Sequence, residues 1–147
     1  MPAAMQRAGH LAGQREGTRG KKLLLLGHLD TVFEPFSPVA AWQVDGQRIR
    51  GQGVSDMKGG VVVMLEALRA LKSVGVLDGS AVAVMLTGDE ESVGQPLAQS
   101  RADLIEMARK SDAVLSFEGM VQDRDGESVA IGRRGAGSWS LTVTGRQ

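Results

Sequence analysis

The sequence predicts an α/β fold, a mixed sheet with helices on both faces, and three observations carry that prediction. Short apolar runs at residues 22–26, 80–87 and 113–117 have the length and the lack of polar alternation of strands buried on both faces. Between them, residues 57–74 and 96–110 space their apolar side chains at intervals of three and four, as a helix does. Each apolar run then stops abruptly at polar or charged residues. The order strand, helix, strand, helix, strand winds a sheet with right-handed crossovers.

Composition supports one soluble core and little else. The chain has 147 residues, 42% hydrophobic and 23% charged, with 17 basic and 17 acidic side chains. A net charge of zero offers no attraction to nucleic acid or an anionic membrane. The absence of cysteine excludes disulfides, thiolate metal sites and a thiol nucleophile. No apolar run approaches the ~18 residues of a membrane span, and no secretory signal is visible, so the expected location is the cytoplasm.

The elements follow in order. Residues 1–22 are rich in Arg, Gly and Ala, with Glu16 the sole acid, but lack the hydroxyl-rich amphipathic character of a transit peptide. They are expected to form an edge hairpin, residues 10–15 against 22–26 around Gly17-Thr18-Arg19-Gly20, leaving His10 on a polar, mobile edge. Residues 33–53 read as a long loop with a small hairpin, 41–44 against 47–50 across Asp45-Gly46. Helix spacing from 57 to 74 (Val61, Met64, Leu65, Leu68, Leu71) should end at Gly75. The strand at 80–87 leads into Gly88-Asp89-Glu90-Glu91, and the helix at 96–110 should turn Leu97, Leu104, Ile105 and Ala108 inward. A third buried strand at 113–117 ends at Glu118, and residues 128–131 and 138–144 are expected to be two antiparallel strands.

Chemistry gathers at the strand ends: His28 and Asp30, then Glu90 and Glu91, then Glu118, with Asp56 in the loop feeding the first helix. In open α/β sheets the carboxyl ends of strands border the ligand crevice, so residues far apart in sequence converge there. One imidazole among that many carboxylates calls for a cation, because like charges at close range repel strongly away from water. Imidazole and carboxylate without thiolate suit zinc, with manganese or cobalt as substitutes. Each residue has a plainer reading: His28 as a hydrogen-bonded structural residue, Asp56 as a helix N-cap, Glu90 and Glu91 as solvated loop charges. Asp30, two residues after His28, can orient the imidazole, and a Glu pair can divide metal binding from general-base work.

Four segments carry a more specific likeness: Gly27-His28-Leu29-Asp30-Thr31-Val32, Gly51-Gln52-Gly53-Val54-Ser55-Asp56-Met57-Lys58-Gly59-Gly60, Gly88-Asp89-Glu90-Glu91 and Ser116-Phe117-Glu118. In sequence and order they resemble the co-catalytic zinc metallopeptidases of the aminoacylase and carboxypeptidase family, which includes glutamate carboxypeptidase, acetylornithine deacetylase, succinyl-diaminopimelate desuccinylase and peptidase T. The run ending in Glu118 points to the glutamate carboxypeptidase branch. The resemblance implies a zinc-exopeptidase-like sheet and a hydrolase that cleaves an amide bond of a small N-acyl amino acid or a C-terminal amino acid. It implies two zinc ions, with His28 and Glu118 on one, Glu91 on the other and Asp56 bridging. Asp30 would orient His28, Glu90 would be the general base, and the Asp56-Met57 peptide would be cis.

The resemblance also implies a division of the chain. Residues 1–136 would be a partial catalytic domain, and 137–147 the first strand of a lid domain through which the complete enzyme forms a homodimer. The family's two further histidines have no counterpart here, since His10 precedes the first motif. An alternative expectation is therefore a catalytically incompetent fragment or metal-binding remnant, holding at most one ion tightly. A dinucleotide fold, prompted by Gly51-Gln52-Gly53, lacks the strand and acidic residue that its fingerprint needs.

Overall fold

The computed structural model describes residues 8–39, 42–119, 121–123, 126–132, 135, 137 and 139–145. In chain order these form β1 (Leu11–Arg15), β2 (Arg19–His28), β3 (Gln43–Asp45), β4 (Arg48–Arg50), α1 (Gly59–Ser73), β5 (Ser80–Thr87), α2 (Leu97–Ser100), α3 (Ala102–Arg109), β6 (Ala113–Ser116), β7 (Val121–Asp123) and β8 (Gly126–Ser128). The main sheet has the order β1-β5-β2-β6, and β3-β4 and β7-β8 are separate hairpins. No helix among the described residues is long and apolar enough to cross a membrane.

The leucine run of β2 lies parallel to β5 on one side and to β6 on the other. This is where a strand without polar alternation buries most surface. Leu25, Met64 and Leu86 form the core, with Val61, Leu68, Val82, Val84 and Phe117 packed around them. This cluster joins α1 to one face of the sheet. On the opposite face, Met107 of α3 shares a cleft with Ala81 and Ala83, which alternate with Val82 and Val84 along β5. Fully burying a side chain such as Leu24 or Met64 contributes about 1.5–3 kcal/mol.

Register brings the chemistry to one level. His28 pairs with Thr87, the last residue of β5. Leu26 pairs with Ser116, the last residue of β6, so Glu118 emerges two residues further on, level with His28. Helix α1 stops as its sequence dictates: the Val76 amide donates to the Leu71 carbonyl and the Gly75 amide to the Lys72 carbonyl. Gly75 takes φ 71, which closes this cap and which a residue with a Cβ rarely adopts.

The structure corrects several expectations. Residues 10–15 and 22–26 are not a hairpin, because β1 pairs antiparallel with β5 and not with β2. Both edges of β2 are already taken by apolar partners, and the exposed, polar β1 goes to the sheet's edge. The connecting loop crosses the start of β5, where a Cβ on Gly17 would overlap the Gly79 carbonyl. The helix expected at 96–110 is broken at Arg101 (φ −100, ψ 4) into α2 and α3, and Leu97 and Ile105 are exposed. Among the described residues strand β6 is at an edge, with Val114 and Leu115 exposed. The expected pairing of 128–131 with 138–144 is replaced by the β7-β8 hairpin. Residues 139–144 form no strand and expose Trp139, Leu141 and Val143, and Ser138 lies outside the described residues. In the small hairpin Asp45 pairs with Arg48, so the turn is Gly46-Gln47, while Ala41 lies outside the described residues.

Candidate metal centre

His28, the last residue of β2, is buried, and its ring faces oxygen on both sides. Nδ1 donates to the Asp30 backbone carbonyl at 3.0 Å, with the Asp30 carboxylate 3.4 Å away. Nε2 donates to Asp56 Oδ1 at 2.9 Å, and Glu118 Oε2 is 3.8 Å from the same nitrogen. Both ring nitrogens thus face an oxygen acceptor, an arrangement that favours the protonated ring. Burial pushes its pKa down, but the Asp56 bond, the Asp30 carbonyl and the charges of Glu118 and Glu90 outweigh this and raise it above the ordinary value.

Asp56 is placed by a break before α1. Across residues 54–58 the backbone leaves helical geometry at Asp56 (φ −128, ψ 95) and Met57 (φ −128, ψ 35), and the peptide joining them is cis. Asp56 caps no helix: its carboxylate turns to His28 instead. Met57 is buried beneath the site, where its Sδ accepts the His28 backbone N–H at 3.0 Å. Helix α1 fits closely against the end of β6, because a Cβ at Gly60 would overlap the Phe117 carbonyl, one residue before Glu118.

Asp30 lies beyond the end of β2, and its carboxylate does more than face the imidazole. It accepts the backbone N–H of Glu90 at 3.1 Å and of Glu91 at 2.9 Å, tying the loop after β5 to the loop after β2. Ligand atoms of His28, Asp56 and Glu118 lie within 4.8 Å of one another, and so do those of His28, Glu90 and Glu91. All six residues singled out in the sequence thus meet at one end of the sheet. The negative charge is crowded there. Burial, then Asp56 and Glu90, push the Glu91 carboxyl above its usual range. Glu118 is likewise raised by burial against the pull of His28, with Asp56 and Glu90 adding to the rise. A cavity of about 260 Å³ opens beside Asp56 and Glu91, lined also by Thr31, Val32, Phe33 and Val54.

A second polar cluster lies directly behind Glu90 and Glu91. Asp89 is buried and receives Arg101 Nη1 on Oδ1 at 2.6 Å, and the Ser100 hydroxyl and the Gly94 amide on Oδ2. Arg101 Nη2 also reaches the Asp89 carbonyl at 3.0 Å. Burial alone would raise the Asp89 pKa, but these donors hold it down at about 2. His10 belongs to this cluster and not to a polar, mobile edge. Its Nδ1 accepts the Gly88 amide at 3.2 Å, which leaves Nε2–H to face the Ser100 carbonyl at 3.4 Å. Sequence reading passed over Asp89 and Arg101, although one signal was present: Arg101 falls on the apolar stripe of Leu97, Leu104, Ile105 and Ala108. A charge on such a stripe implies a buried partner.

An α/β sheet with a histidine and carboxylates converging outside its parallel strand ends defines a crevice suited to a metal ion. Comparison with known proteins specifies the class: residues 24–136 match Peptidase family M20/M25/M40, and the chain belongs to that family. It is 35% identical over 140 residues to carboxypeptidase G2 of Pseudomonas sp. (strain RS-16), covering 93% of this chain and 32% of that protein. It is 37% and 38% identical to the succinyl-diaminopimelate desuccinylases of Methylobacterium nodulans and Methylobacterium radiotolerans, over 90% of this chain and 35% and 36% of theirs. The chain therefore spans about a third of the length of these relatives.

Proposed function

We propose that this chain carries the metal-binding centre of a zinc-dependent hydrolase that cleaves an amide bond in a small N-acyl amino acid or C-terminal amino-acid substrate. The observation that carries this reading is the convergence of Asp56 and Glu118 on His28 Nε2, with Glu90 and Glu91 within reach of the same ring. The donor set fits a divalent cation. It offers imidazole and carboxylate oxygens without thiolate, and the raised Glu91 and Glu118 carboxyls mark negative charge that a cation would offset. The names of the relatives point the same way, one being a carboxypeptidase and another a succinyl-diaminopimelate desuccinylase.

In this reading His28 and Glu118 would hold one ion and Glu91 a second, with Asp56 serving both. The effect of Asp56 on both Glu91 and Glu118 supports its central place. Bound zinc supplies Lewis acidity, polarising the amide carbonyl and easing ionisation of water. The chain's own residues do the rest. Asp30 keeps a proton on His28 Nδ1 through its carbonyl and so directs Nε2 to the crevice. The Asp30 carboxylate fixes the backbone under Glu90 and Glu91. The Glu90 carboxylate takes a proton from the attacking water and returns it to the departing nitrogen. The cavity beside Asp56 gives the substrate room.

The test is a zinc titration of the chain with His28→Ala and Glu118→Gln beside it, followed by assay on N-acyl amino acids and C-terminal glutamyl peptides. Zinc binding that His28→Ala abolishes and Glu118→Gln weakens is expected. A parent chain that binds no zinc, or binds it equally well without His28, overturns the reading.

A further inference from the structure

The carboxylates around His28 come from three segments: the irregular stretch at Asp56 just before α1, the loop after β5 that carries Glu90 and Glu91, and the chain leaving β6 at Glu118. His28 ends a central strand and Glu118 follows a strand hydrogen-bonded to it, whereas Glu90 and Glu91 sit on a loop running from the end of β5 to α2. A loop backbone needs its own restraints if two adjacent carboxylates are to keep different directions. Asp30 supplies one restraint from the front by accepting both amides.

The second restraint comes from behind. Arg101 takes hold of Asp89 at two points, the carboxylate at 2.6 Å and the main-chain carbonyl at 3.0 Å, so it fixes both the side chain and the peptide that leads into Glu90. The other carboxylate oxygen closes the loop on itself through the Gly94 amide and anchors it to the buried hydroxyl of Ser100. His10 ties the Gly88 amide at the loop's start to the Ser100 carbonyl at the end of α2. Arg101 stands at the break between α2 and α3, and from there its guanidinium reaches Asp89.

We propose that Asp89 and Arg101, with Ser100 and His10, form a positioning network that sets the direction of the Glu90 and Glu91 carboxylates toward His28. The proposal rests on the metal-centre reading above and deepens it. These residues touch neither metal nor substrate: they act through the loop backbone, as partners behind a ligand do elsewhere, where their loss commonly costs about 10–100-fold in metal affinity. A planar guanidinium with two separated donors is needed for the grip, and a lysine offers only a single point of charge.

The experiment is a zinc titration of the whole chain by competition with a chromophoric chelator, for the parent, Arg101→Met, Arg101→Lys, Glu91→Ala, Glu118→Ala and the doubles combining Arg101→Met with each glutamate change. Far-UV circular dichroism accompanies each variant. Arg101→Met should weaken zinc binding at least about tenfold, and Arg101→Lys should recover part of the loss. Adding Arg101→Met to Glu91→Ala should cost nothing more, since the loop then has no ligand left to aim, while adding it to Glu118→Ala should cost its full effect. Folded Arg101→Met with parental affinity, or losses that add with Glu91→Ala, overturns the proposal while leaving the metal centre intact. Failure of the parent itself to bind zinc through His28 overturns the metal centre and this inference together. Should Arg101→Met not fold, Ser100→Ala, which removes one donor from Asp89, must show a smaller loss with the same non-additivity, and its absence overturns the proposal.

Discussion

At the level of single residues, adjacent Glu90 and Glu91 are chemically identical and differ only in where the loop points them. In the reading proposed above, Glu91→Ala should weaken zinc binding, whereas Glu90→Gln should leave it nearly unchanged and, at the matching position of a full-length relative, lower amide turnover by about 10²–10⁴-fold, the usual cost of losing a general base. Equal zinc losses in the two variants would show the roles misassigned. His28 makes a prediction about pH. Its folded pKa is raised, so its stabilising contribution is complete below about 6.5, the value in the unfolded chain, and is lost as pH rises through the folded value. Glu91 and Glu118, also raised, act in the same direction from a lower starting point. With chelator present, the melting temperature of the parent relative to His28→Ala should therefore fall as pH rises through neutrality. Zinc affinity should rise over the same range, because the ion competes with the Nε2 proton. Melting differences that increase with pH in chelator would contradict the assigned contacts. Asp89 has the opposite sign: its folded pKa of about 2 lies below the usual 3.8, so its contribution is present above 3.8 and fades as pH falls through 2.

At the level of elements, the contact between α1 and the end of β6 sets the spacing of the centre. Gly60 touches the Phe117 carbonyl so closely that any side chain must push the helix and the strand end apart. Gly60→Ala should therefore cost about 1–3 kcal/mol or more, as overpacking does, and should weaken zinc binding, since Glu118 follows Phe117 directly. Chemical denaturation and zinc titration of that variant check both effects, and parental stability would contradict the close fit. The break between α2 and α3 has a measurable consequence as well. Asp89→Asn leaves the partly buried Arg101 guanidinium without its charge partner, and a loss of about 1–3 kcal/mol is expected in denaturant, the range for a hydrogen bond to a charged group.

At the level of the whole molecule, apolar side chains lie open at the edge of the sheet. Val114 and Leu115 on β6 are each nearly half exposed, and β6 has β2 as its partner on one side only among the described residues. An open strand with exposed apolar residues is a template for pairing with another chain. The isolated chain should therefore self-associate as its concentration rises, and Leu115→Lys should reduce this by placing a charge on the edge. Light scattering coupled to size exclusion measures both, and a parent that stays monomeric at high concentration would show that the edge is shielded.

What the sequence by itself determined about this protein is the set of buried strands and the residues at their ends. Continuous apolar runs favour burial on both faces, so β2 and β5 were legible from the order of residues alone, and with them His28, Glu90 and Glu91 at one end of the sheet, whereas the similar run of β6 leaves Val114 and Leu115 exposed. Helix α1 was legible for a similar reason, its apolar spacing and Gly75 both being local. Only the tertiary structure decided which strand lies beside which, because pairing depends on competition between edges: β1 is next to β2 in sequence yet pairs with β5. Tertiary structure also decided that Asp56 faces His28 and caps no helix. It decided too that Asp89, one of three consecutive acids, turns inward to Arg101 while its neighbours turn to the crevice. Adjacent acids carry the same local signal, and only partners brought from distant parts of the chain can tell them apart.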